Sequence, residues 1–171
     1  SHGVLAAGAP LVMNCPIIAG ASRQAQTCFN FEGANYIAVD GFELVGGYYG
    51  VRAVDPVDDQ RTPSRGIAVI ATLAHHQCKD PFLTGASEWF VIERSVGHHS
   101  GTCPAGVSPD GHAIYLGNGG DWNVVRFNEA YQNSSADFQI NADPVAICDD
   151  FGVALTSVKC NGAADKTTGV G

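Results

Sequence analysis

Few residues in this chain have side chains suited to catalysis or metal binding, and the most suggestive are histidines. They occur as His75-His76 and His98-His99, and singly as His2 and His112. Two imidazoles share one zinc or copper ion when the backbone points them the same way, as His-x-His does on a strand or His-x-x-x-His on a helix. Neighbours on a strand point to opposite faces, so neither His-His pair is expected to share a metal. A site drawn from His98, His99 and His112 is the metal-dependent alternative; otherwise no cofactor is expected. The stretch "SVGHHSGTCPAGVSPDGH", Ser95 to His112, therefore reads as a loop stapled by a disulfide and closed by a Pro-Asp-Gly turn.

Hydrolase signatures are missing in the same way. The chain has no Gly-x-Ser-x-Gly, no His-Glu-x-x-His and no phosphate-binding glycine loop. The acidic pairs Asp58-Asp59 and Asp149-Asp150 are adjacent, which suits turns better than a pair of glycosidase carboxylates. One order of segments does suggest an enzyme. "SRQAQTC" has helical character, "EWFVI" carries Glu88, and "DWNVVRFNE" carries Arg126. This order resembles the small secreted guanyl-type ribonucleases of fungi. The resemblance implies Glu88 as base toward a ribose hydroxyl, Arg126 as phosphate ligand and His112 as acid. It departs from that family further on, where "ADFQIN", "PVAIC" and "GVALTSV" contain no histidine. Hydrolysis, ribonuclease-like or metal-dependent, is thus the alternative reading.

Aromatic residues support a binding function instead. Trp122 follows "GNGGD", and Tyr48 and Tyr49 lie in "GGYYG", places where glycine-rich turns leave rings at an edge. Such rings suit sugar faces or a protein partner. Trp89, inside "WFVI", reads as a core residue.

The scaffold that must hold these residues is legible in outline. The 171 residues are 45% hydrophobic and 15% charged, with a net charge of −8. This composition is globular, and it argues against nucleic acid or an anionic membrane as partner, since both require clustered Lys and Arg. Six cysteines, at 15, 28, 78, 103, 148 and 160, contain no Cys-x-x-Cys and read as three disulfides formed in an oxidising compartment. Pairing between sequence neighbours (Cys15–Cys28, Cys78–Cys103, Cys148–Cys160) is the expectation among fifteen connectivities. Asn133-Ser134-Ser135 is an N-glycosylation acceptor triplet. Runs such as "NYIAVDGFELV", "YYGVRAV", "GIAVIATLA", "EWFVIER", "HAIYL", "WNVVRFN", "PVAIC" and "FGVALTSV" read as strands bounded by Gly, Pro, Asn and Asp. "DPVDDQRTPSRG" reads as a long polar loop, and no internal repeat is legible. The expected fold is mainly β: a disulfide-stabilised β-sandwich or barrel with one short helix, spanning residues 1–160 as a single domain, with 161–171 as a flexible tail. The expected function is non-catalytic recognition of an extracellular glycan or protein surface by a secreted effector, defence or lectin-like protein.

Overall fold

A computed structural model of the chain describes residues 10–18, 21–54, 63–85, 87–117 and 121–140. Among them are fourteen short strands: β1 (Leu11–Cys15), β2 (Phe29–Glu32), β3 (Ala38–Asp40), β4 (Phe42–Gly46), β5 (Val51–Val54), β6 (Ala68–Ile70) and β7 (Leu73–His75), followed by β8 (Phe82–Gly85), β9 (Val91–Glu93), β10 (Val96–His98), β11 (Ile114–Gly117), β12 (Val124–Arg126), β13 (Glu129–Tyr131) and β14 (Phe138–Ile140). The expected helix is reduced to a single 3-10 turn, Gln24–Gln26.

Every third strand is a neighbour. The three sheets run β1-β4-β7-β10-β13, β2-β5-β8-β11-β14 and β3-β6-β9-β12, and every pairing is parallel. Each coil of chain thus gives one strand to each of three open sheets, and successive coils stack about 4.8 Å apart. The mainly β class is as the composition predicts, but the architecture is a parallel β-helix, not a sandwich or barrel.

The reason lies at the bends. Within each coil three residues, spaced five apart, adopt left-handed backbone geometry: Tyr36, Gly41 and Gly46; Gly66, Ala71 and His76; Trp89, Arg94 and His99; Trp122, Phe127 and Gln132. A single left-handed residue turns the chain sharply without reversing it, so the next strand joins a new sheet instead of folding back as a hairpin. The amides stay in register through the bend. Tyr36, Gly66 and Trp89 donate to the carbonyls of Arg65, Glu88 and Asp121 on the next coil, and Ala71 and Arg94 donate to Glu93 and Arg126. The residue after each bend turns inward. In the fourth coil that residue is Asn123, Asn128 or Asn133, whose Oδ1 atoms accept the amides of Phe90, Ser95 and Ser100 at 2.8, 2.8 and 3.1 Å. These amides would otherwise be unpaired.

The chain therefore does repeat. The equivalent bends Tyr36, Gly66, Trp89 and Trp122 are 30, 23 and 33 residues apart, and this unequal spacing hides the repeat from inspection. Val39, Val69, Ile92 and Val125 stack inside one sheet, and Phe29, Val51, Phe82 and Ile114 inside another. The sheet facing them carries Leu44, Ala74, Gly97 and Ala130. Small residues are needed there: a Cβ on Gly97 would lie 2.9 Å from the Cβ of Ala113.

The length variation lies on the side between the third bend of one coil and the first of the next. Cys78–Cys103 ties the longest described connection, between β10 and β11, to the preceding coil, and Cys15–Cys28 ties β1 to the start of β2. Cys148, Cys160, the strands expected at "PVAIC" and "FGVALTSV", the 161–171 tail and most of the polar loop (residues 55–62) lie outside the described residues. Among the described residues no helix is long and apolar enough to cross a membrane.

If left-handed geometry at the bends is the constraint, relieving it should show. Ala71 is exposed with φ of 45°. Ala71→Gly removes roughly 1–2 kcal/mol of backbone strain against roughly 0.5–1 kcal/mol of glycine entropy. Urea denaturation is expected to show a net gain of about 0.5–1 kcal/mol, whereas Ala74→Gly, on a strand, should lose stability.

Candidate functional site

Bends that stack coil upon coil make columns of outward side chains, and the three columns differ in chemistry. The first holds Tyr36, Gly66, Trp89 and Trp122. Tyr36 is 79% exposed, Trp89 48% and Trp122 59%. The two indoles lie 6.0 Å apart, and the Tyr36 ring covers Gly66, where an added Cβ would come within 2.8 Å of it. The three rings thus form one strip along the helix axis. Beside it runs a polar column, Asn35, Arg65, Glu88 and Asp121, in which Arg65 Nε lies 3.0 Å from Glu88 Oε2.

Trp122 is exposed as its neighbours suggest. Trp89 is not a core residue, because it occupies a bend instead of the strand that follows it. Tyr48 is 8% exposed and Tyr49 is partly buried, and the two rings pack edge-on against each other. Burial, with Asp80 nearby, pushes the Tyr49 hydroxyl up to about 12. Tyr36 was missed because nothing in "NYIAVDG" marks its tyrosine as a bend; the signal was an aromatic three residues before an interior Val or Ile.

The second column contains Arg94 and Phe127. Arg94 and Arg126 both pair with Glu93, with Arg126 Nε 2.7 Å from Glu93 Oε2. Arg126 is thus held at the second bend and Glu88 at the first, while His112 lies beyond the third, just before β11. The coil topology does not bring these three to one cleft.

The third column carries the histidine pairs. Strand alternation does not separate them, because His76 and His99 are left-handed bends. Their rings swing round beside His75 and His98, with Nδ1 atoms 2.6 Å apart in each pair. His75 stacks on His98 at 4.9 Å, His76 on His99 at 5.1 Å, and Tyr131 on His98 at 4.7 Å. Glu43 lies 3.1 Å from His75 Nε2. At 2.6 Å the two ring nitrogens of each pair share a hydrogen bond. Among the described residues no group of three or more His, Cys, Asp or Glu is arranged to hold a metal.

His112 is separate from this array. It is buried, and Asp80 Oδ1 accepts from both its backbone amide (2.8 Å) and its Nδ1 (3.1 Å). Its Nε2 lies 3.1 Å from Ser135 Oγ. Burial raises the Asp80 carboxyl above its ordinary value, although the bonds from His112 oppose this. Sequence reasoning missed Asp80 and Ser135, which lie 32 and 23 residues from His112 with no local motif to link them. Asn133, the acceptor of the glycosylation triplet, donates through Nδ2 to Gly97 O and Asp137 Oδ1, bonds that a glycan on that nitrogen would disturb.

Comparison with family models, curated proteins and solved structures finds no match to this chain. Function must therefore be argued from the site chemistry.

The imidazole array has a pH signature. Burial and the neighbouring rings of His75, His99 and His76 hold His98 down at about 4 against the partial support of Glu43, and His76 is lowered for the same reasons. Below about pH 6.5 an unfolded chain takes up protons that these folded rings refuse. Stability carried by this array is therefore full above pH 6.5 and declines as pH falls toward 4. Thermal melts across that window are expected to drop steeply in the native protein and less steeply in His98→Gln.

Proposed function

We propose that this is a secreted recognition protein that binds an extended extracellular glycan along the strip formed by Tyr36, Trp89 and Trp122. The observation that carries the reading is that strip: three exposed rings on the first, third and fourth levels of a parallel helix, with the Tyr36 ring lying over Gly66 on the second, flanked by Asn35, Arg65, Glu88 and Asp121. Sugar rings present apolar C–H faces that stack on aromatics and equatorial hydroxyls that bond planar carboxylate, guanidinium and amide groups. Four coils give the strip a length of about 15 Å, suited to a linear polymer and not to a single small ligand. Because the rings are already fixed by the bends, binding orders little that is not already ordered. The disulfides fit an oxidising, extracellular setting.

A net charge of −8 favours a neutral or cationic glycan over a polyanion. Titration calorimetry against soluble neutral and cationic polysaccharides should give affinity that rises with oligomer length until the strip is covered. Trp89→Ala and Trp122→Ala should each weaken binding about tenfold, near 1.4 kcal/mol, without lowering the melting temperature appreciably. Binding unaffected by both substitutions would remove the strip as the site.

A further inference from the structure

Asp80, His112 and Ser135 come from three successive connections on the same side of the helix: before β8, before β11 and before β14. With Asp80 ionised and the His112 ring neutral, the direction of each hydrogen bond follows from donor chemistry. An ionised Asp80 carboxylate can only accept, so the Nδ1 it touches must carry the proton. A neutral His112 then has a bare lone pair on Nε2, and the Ser135 hydroxyl must donate to it. The arrangement is an acid that fixes a tautomer, a base with its lone pair aimed at a hydroxyl, and that hydroxyl on a residue only partly covered. No other described histidine has this combination: His75 and His76, like His98 and His99, bond each other through Nδ1. A buried Asp-His pair is also costly to maintain where apolar packing would serve the fold as well.

We propose that Ser135 is the nucleophile of an acyl-transfer site, with His112 as its general base and Asp80 as the residue that positions His112, acting on carboxylic esters. This inference is independent of glycan binding, which uses the first bend and shares no residue with it. In the first step Ser135 Oγ bonds to the ester carbonyl carbon as its proton passes to His112 Nε2. The C–O bond to the alcohol then breaks, and the departing alkoxide takes that proton. Water next attacks the acyl-serine, giving a proton to His112 Nε2. The carboxylic acid leaves as the proton returns to Ser135 Oγ. No atom changes oxidation state, and water is the only co-reactant. The amide following Ser135, that of Ala136, has no partner among the described residues and lies exposed, the chain position from which a nucleophile's neighbour often donates to the carbonyl oxygen.

The test uses the intact disulfide-bonded protein. A fluorophosphonate probe should label it, and peptide mass spectrometry should place the adduct on Ser135 and not on Ser134. p-Nitrophenyl acetate should be hydrolysed with a burst. Ser135→Ala should abolish both, with glycan binding intact. Asp80→Ala, which removes the oxygen that accepts from both the backbone amide and Nδ1 of His112, should slow labelling by about 10⁴-fold. Nitrogen NMR of His112 should report the Nδ1–H tautomer in the native protein and loss of that preference in Asp80→Ala, which ties the slowed labelling to the His112 tautomer. Absence of an adduct on Ser135 in the folded native protein, or labelling as fast in a folded Asp80→Ala as in the native chain, would overturn the proposal whatever the glycan experiments show.

Discussion

The left-handed bend residue is the constraint from which the rest of this structure follows. For an L-residue that conformation costs of the order of 1–2 kcal/mol, and twelve bends in four coils hold it, nine of them without glycine. Such a chain can afford the cost only if each bend is repaid locally. The bend amide stays in the ladder to the next coil, the following residue turns into the core, and bend rings pack on one another where both are aromatic, His76 on His99 and Trp89 beside Trp122. Remove the five-residue spacing of bends and the sheets lose register together, because each coil is held chiefly by its neighbours.

The same constraint sorts the chemistry. A strand alternates its side chains in and out, whereas a bend always points outward, so three columns are forced to the surface whatever residues fill them. Here one column is aromatic, one holds Arg94 and Phe127 beside Glu93 and Arg126, and one is imidazole. Inside, the narrow dimension is set by Ala74, Gly97 and Ala130 facing bulkier Phe82 and Ile114. The two sites argued above lie on an outer face and at the connections between coils.

How far this could be read from residues alone depends on what each signal encodes. The β-rich class, the cysteine pairs at 15–28 and 78–103, and the stapled loop after His99 were legible because composition and turn residues report local preference. "NYIAVDGFELV" and "GIAVIATLA" read as single strands, yet each is broken at its middle, by Gly41 and by Ala71. Alanine carries no mark of a left-handed bend, and neither do Trp89, His76 or Arg94. The requirement at those positions is conformational and is met by unrelated side chains. The repeat stayed hidden for the same reason, and unequal connections removed the fixed period that would have exposed it. The histidine pairs were misjudged by a rule that is sound within a strand and fails at the residue just after one.

A solenoid also changes what sequence distance means for a site. In a sandwich or barrel, residues of one cleft arrive from anywhere in the chain, and their spacing says nothing. In stacked coils, residues meet when they occupy equivalent places on adjacent levels. Asp80 is two residues before Phe82, His112 two before Ile114, and Phe82 and Ile114 are paired partners. Their hydrogen bond, across 32 residues, follows from the ladder, as does the stacking of His75 on His98. Ser135 reaches His112 from the level beyond, since Phe138 pairs with Ile114 in turn. Once the bends are located, each connection can be laid on the next and its polar residues compared position by position. By that comparison the connections before β8, β11 and β14 hold Asp, His and Ser in hydrogen-bonded succession, on the one side of the helix where the chain is free to vary in length.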